Sequence, residues 1–96
     1  MVKVTAAAIG AISIAAAVVA SAEPPAGAAA CSGCHPASTR VTSPVTRLAG
    51  RDQAAIVKAM QDFRSGTRAG TVMDRIAKGF TDEEIQAIAA WYATQK

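Results

Sequence analysis

Two thiols and an imidazole fall within five consecutive residues, Cys31-Ser32-Gly33-Cys34-His35. At a helical start, cysteines three apart lie on nearly one face. Each thiol can then form a thioether to a haem vinyl group, while a histidine directly after the second aims a ring nitrogen at the iron. Ser32 and Gly33 are small, which lets the backbone lie close to a porphyrin edge. Three rival chemistries fit less well. A thioredoxin-type redox pair needs a βαβ setting, and no stretch of this sequence has strand character. A structural zinc site needs four ligands, whereas the whole chain has two cysteines and one histidine. A plain structural disulfide gives His35 no role. The motif reads as the attachment site of one covalent haem c, with Cys31 and Cys34 as the thioether positions and His35 as an axial ligand.

His35 is the chain's single histidine, so a second imidazole for the iron is excluded. Beyond Met1 and the N-terminal segment the methionines are Met60 and Met73. Met60 shares an apolar helical stripe with Ile56 and Phe63 and reads as core. Met73 follows Thr71 and Val72 in a Gly/Thr-rich stretch from which a thioether can reach across a haem face. Met73 is therefore the expected partner of His35. A soft thioether favours ferrous iron and raises the reduction potential, which suits outer-sphere electron transfer.

The elements that must position these groups are short. Residues 1–22 carry one cation, Lys3, then an uncharged run ending Ala20-Ser21-Ala22 before Glu23-Pro24-Pro25. That order reads as a secretory signal cleaved near Ala22, leaving residues 23–96 as a periplasmic domain with no membrane span. The strongly apolar part is shorter than the ~20 residues a spanning helix needs. Pro25 can open a short helix that delivers Cys31, and residues 36–50, rich in Ser, Thr and Pro, form a loop. Asp52 caps a helix with Ala55, Ile56, Ala59, Met60 and Phe63 on one face, ending before Gly66. A brief helical piece around Arg75–Lys78 stops at Gly79. Thr81-Asp82-Glu83-Glu84 is a capping box, and the last helix presents Ile85, Ile88, Ala89 and Tyr92, with Trp91 at the edge of the stripe. The class is all-α. Only four aromatic residues are available, so a bound group is needed to complete the interior. A net charge of +3 with interspersed signs gives no case for nucleic-acid binding.

These residues carry a family resemblance. CSGCH near the start of the domain, a loop with Ser43-Pro44, a middle helix, a loop methionine and a terminal helix with Ile88-Ala89-Ala90-Trp91-Tyr92 resemble a class I c-type cytochrome. Leu48-Ala49-Gly50, with the helix end Asp62-Phe63-Arg64-Ser65-Gly66-Thr67-Arg68, is similar to the cytochrome c4 and c553 group. Met73-Asp74-Arg75-Ile76-Ala77-Lys78-Gly79-Phe80 resembles the run in the cytochrome subunit of flavocytochrome c sulfide dehydrogenase. The resemblance implies the class I fold wrapped around one haem, with His35 and Met73 axial and the Pro44 carbonyl taking the other His35 ring proton. It implies crossed terminal helices, with Trp91 against Ala26 and Gly27. One departure is Pro36, where such proteins usually carry glycine. The implied function is an electron-transfer subunit, not an enzyme on its own, that accepts electrons from a flavoprotein (FAD) sulfide dehydrogenase subunit and passes them to another redox protein. The alternative is a free-standing periplasmic shuttle of the c553/c4 type. Arg40, Arg47, Arg51, Arg64, Arg68 and Arg75 are either docking groups or solvated surface.

Overall fold

A computed structural model describes residues 2–13 and 23–96, so the reading of a signal cleaved near Ala22 rests in part on positions outside the described residues. Residues 2–13 are exposed and belong to no helix. Among the described residues no helix is long and apolar enough to cross a membrane.

Four helices, α1 (Ala28–Ser32), α2 (Gln53–Ser65), α3 (Met73–Ile76) and α4 (Asp82–Ala93), make up the domain, with a 3₁₀ turn at Ala77–Gly79. No strand is present among the described residues. The Asp52 carboxylate accepts from the Ala55 N–H at 3.1 Å and so satisfies one of the free donors at the start of α2. Gly66, at φ 81°, ends that helix in the left-handed conformation, its N–H donating to the Phe63 carbonyl at 3.3 Å. The capping box of α4 is complete. The Glu84 N–H donates to the Thr81 hydroxyl at 3.2 Å, and the Thr81 N–H donates to the Glu84 carboxylate at 3.0 Å.

The stripe expected on α4 is the buried one: Ile85, Ile88, Ala89 and Tyr92 form the core with Ile56 and Val57 of α2 and Ala28 of α1. Tyr92 is fully buried, and its hydroxyl donates to the Ala28 carbonyl at 2.7 Å. Its own carbonyl accepts from the Gly50 N–H at 2.9 Å. One residue of α4 thus holds both α1 and the loop that leads into α2.

Two expectations are corrected. The contact between α1 and the C-terminal half of the chain is not centred on Trp91. At Gly27 (φ 87°) an added Cβ would lie 2.6 Å from the Phe80 ring and 3.3 Å from the Ile88 side chain. Ile88 and Tyr92 are four apart and face the same way, so both meet α1, and Trp91 packs at the edge of the core. The short third helix begins at Met73 rather than near Arg75. The N–H groups of Arg75 and Ile76 both donate to the Val72 carbonyl, at 3.0 and 3.1 Å, which pulls the start of the helix back by two residues.

Candidate haem site

Between α2, α3 and the segments that join them to the rest lies a cleft of about 790 Å³, within the size range of cofactor sites. Cys31, Cys34 and His35 stand on its wall together with both methionines, Met60 and Met73. Apolar groups supply most of the remaining lining: Leu48, Ile56, Phe63, Ile76, Phe80, Ile85 and Ile88 among them. The core is therefore two-faced, since Ile85 and Ile88 pack against α1 and α2 and also look into the cleft.

The attachment motif forms one continued turn. The N–H groups of Cys34 and His35 both donate to the Cys31 carbonyl, at 3.2 and 2.8 Å, so the helical turn of α1 runs on through the histidine. The two thiols are not joined to each other. Cys31 is half-buried, its thiol donates to the Gly27 carbonyl at 3.6 Å, and burial pushes its pKa up. Cys34 is exposed. Gly33 has an ordinary right-handed backbone, and a Cβ there would meet nothing closer than the Ala30 carbonyl at 3.4 Å. The fold by itself does not demand glycine at that position.

His35 Nδ1 hydrogen-bonds to the Thr46 carbonyl, not to that of Pro44. Pro44 lines the same cleft, but the Val45 N–H turns back to the Ser43 hydroxyl at 3.1 Å, and this local turn brings the Thr46 carbonyl to the ring instead. With Nδ1–H as donor, Nε2 keeps its lone pair, which is the tautomer an axial ligand requires.

The 66–72 segment reaches the cleft because of Gly70. A Cβ there would lie 3.0 Å from the Phe63 ring and 3.3 Å from Met73 Cβ, so the backbone closes over Phe63 and delivers Met73. The Arg68 guanidinium lies 4.8 Å from the centre of the same ring. The six arginines grouped in the sequence separate into different roles. Arg51 and Arg68 are the charged residues of the lining, which contains no carboxylate among the described residues. Arg64 bonds the Asp82 carboxylate and, at 3.2 Å, the Phe80 carbonyl, tying α2 to the start of α4. Arg47 donates to the Thr39 carbonyl at 3.2 Å. Sequence reasoning missed both Thr46 and this division, because each rests on pairs distant along the chain.

The residues present fit a haem. Two free thiols line the same cleft as His35, whose Nδ1 contact to a carbonyl leaves Nε2 as the basic nitrogen, apolar walls suit a macrocycle, and two guanidiniums match its two propionates in charge. Among the described residues no cluster of three or more Cys, His or carboxylate groups would hold a bare metal ion.

Known proteins agree with this geometry. No protein-family model matches the chain. It is 40% identical over 62 residues to the cytochrome subunit of sulfide dehydrogenase of Chlorobaculum tepidum, covering 65% of this chain and 56% of that protein. It is 42% identical over 65 residues to a thiosulfate dehydrogenase electron acceptor of Stutzerimonas stutzeri, covering 66% of this chain and 30% of that one. With cytochrome c4 of Pseudomonas aeruginosa the identity is 33% over 70 residues, 72% of this chain and 35% of the relative. The chain thus spans just over half the length of the first of these relatives and about a third of the other two. By fold, by attachment motif and by these similarities the chain is a class I c-type cytochrome, and its cofactor is covalent haem c.

Proposed function

We propose that this chain carries single electrons from a flavoprotein sulfide dehydrogenase subunit to another redox carrier, in the periplasm, through a haem ligated by His35 and Met73. The observation that carries the reading is the composition of the cleft. It joins the two thioether cysteines and His35 to a methionine held outside the core, within one largely apolar wall. The similarity to the sulfide dehydrogenase cytochrome subunit supports the choice of donor.

Haem bound at this site supplies a one-electron couple, and the chain does the rest. Cys31 and Cys34 would fix the macrocycle, the Thr46 carbonyl orients His35, and the apolar walls would keep water from the iron. Arg51 and Arg68 would take the propionates. Met73 is the better candidate for the sixth position because it opens α3 beside the flexible-backbone Gly70, whereas Met60 is packed against the core.

Two experiments test the reading. Met73→Ala should abolish the weak sulfur-to-iron band of the ferric protein, lower the potential and open the iron to carbon monoxide. Met60→Leu should leave the band intact at a stability cost below ~1.5 kcal/mol, since the swap conserves volume; the reverse pattern would assign the ligand to Met60. Purification from the native periplasm should recover a flavoprotein near one-to-one, with sulfide-dependent haem reduction only in its presence. The similarity to cytochrome c4 favours a second reading, a free-standing shuttle, which predicts a monomer reduced by several unrelated donors.

A further inference from the structure

The carbonyl that accepts from His35 lies in a segment with little structure of its own. Residues 36–50 contain no helix, and the backbone pairing within them is a Val41 N–H to Ser38 carbonyl bond at 3.5 Å. The nitrogen of Pro36 has no hydrogen to donate, so the chain leaves the histidine without a main-chain tether on that side. The segment is fastened at its ends. Ser38 donates to the Lys96 carbonyl at 3.0 Å, and Gly50 donates to the Tyr92 carbonyl at 2.9 Å. Between those points, beside Thr46 itself, the Arg47 guanidinium crosses the loop to the Thr39 carbonyl at 3.2 Å.

We propose that Arg47 is a positioning residue for His35: by clamping its own backbone to Thr39 it holds the adjacent Thr46 carbonyl on the imidazole Nδ1–H. The inference rests on His35 as an axial ligand. A firmly held acceptor draws the Nδ1 proton and makes the ring a stronger donor through Nε2, which stabilises ferric iron. With the clamp released, the carbonyl wanders, the ring donates less, and the reduction potential rises. The direction matters because electrostatics predicts the opposite. Removing any cation near the haem disfavours the electron-rich ferrous state and lowers the potential.

The test uses holoprotein and compares Arg47→Gln with Arg40→Gln, a loss of the same charge from the same loop. Arg47→Gln should raise the midpoint potential and move the His35 Nδ1–H resonance toward a weaker bond. Its exchange with solvent should speed up about fivefold, the factor that corresponds to a hydrogen bond of about 1 kcal/mol. Arg47→Lys, which keeps a charged donor of longer reach than the Gln amide, should recover part of each change. Arg40→Gln should lower the potential slightly and leave the proton signal in place. A fall in potential for Arg47→Gln equal to that of Arg40→Gln, with unchanged exchange, would overturn the proposal. Should Arg47→Gln not mature, Arg47→Met, which has an unbranched side chain and no donor, carries the same comparison, and an unchanged Nδ1–H signal there would overturn the proposal as well. Absence of ligand-type His35 resonances in the unaltered protein would instead defeat the assignment of His35 to the iron, a separate failure.

Discussion

The half of the domain formed by α1, α2 and α4 and the half formed by residues 36–50 and 66–76 reach their shapes by different routes. In the first, the two long helices carry local signals: Asp52 and Gly66 bound α2, and Thr81 with Glu84 starts α4. Its side chains pack on one another around the fully buried Tyr92, and Ile56, Ile85 and Ile88 among them also line the cleft. In the second, backbone pairing is sparse and the apolar groups, Leu48, Ile76 and Met73 among them, look into the cleft. The first half is determined by signals a few residues apart, the second by what fills the cleft. A cytochrome built this way is expected to complete its fold only when its cofactor is bound.

Removing the haem should therefore break the halves apart, and this is the largest effect expected. A Cys31→Ala/Cys34→Ala protein, isolated without haem, should lose fixed tertiary structure. Amide exchange should be fastest in residues 36–50 and 66–76, with residual helix confined to α2 and α4. Helices of this length are marginal alone, so even those should be only partly formed. A sharp cooperative thermal transition in the haem-free protein would show that the core closes without the ring.

The first half should also contain the most sensitive single position. Gly27→Ala forces a Cβ to 2.6 Å from the Phe80 ring at a backbone φ of 87°. Left-handed strain of about 1–2 kcal/mol adds to overpacking of about 1–3 kcal/mol. Gly79→Ala, where a Cβ meets nothing within 4 Å, should be nearly neutral. Chemical denaturation of the two holoproteins measures the contrast. Equal stabilities would mean that α1 docks more loosely on Phe80 and Ile88 than the geometry indicates.

What was legible in the sequence follows the same division. Asp52, the Thr81/Glu84 box, Gly66 and the spacing of Ile85, Ile88, Ala89 and Tyr92 act over a turn or less, and the structure places each of them as expected. The attachment motif was legible because its chemistry is set by five consecutive residues. The errors fall where the deciding contact has no recognisable motif, whether it is local or distant. Thr46 rather than Pro44 meets His35 because Ser43 turns the chain, and Gly27 lies under Phe80 and Ile88 through a contact that spans most of the domain. The start of α3 at Met73 depends on Val72 accepting two N–H groups, for which no local motif is a reliable sign. Arginines look alike in a sequence; Arg64 differs from Arg68 only through what lies across the fold.

The smallest expected effect tests how tightly the self-contained half is sealed. Burial pushes the Tyr92 phenol above its ordinary value, and the neighbouring Cys31 thiol adds to the shift. Once Cys31 is a thioether it no longer ionises, so in the holoprotein burial remains as the raising cause, opposed by the weaker lowering effect of the Ser32 side chain. A phenol whose folded pKa lies above the unfolded value of about 10 contributes its stabilisation in full below pH ~10 and loses it as pH rises toward the folded value. Tyr92→Phe removes the hydroxyl and leaves the Ala28 carbonyl without its 2.7 Å partner, which should cost about 1–3 kcal/mol at pH 7. The variant has no proton to lose at that site, so its deficit should shrink as the pH passes 10. Urea denaturation of both ferrous holoproteins at pH 7 and above pH 10 gives the two differences, and other alkaline changes cancel because the proteins share them. A deficit that stays constant with pH would mean that water reaches the phenol in the folded state, and that the α1–α4 contact is as open as the loops around the cleft.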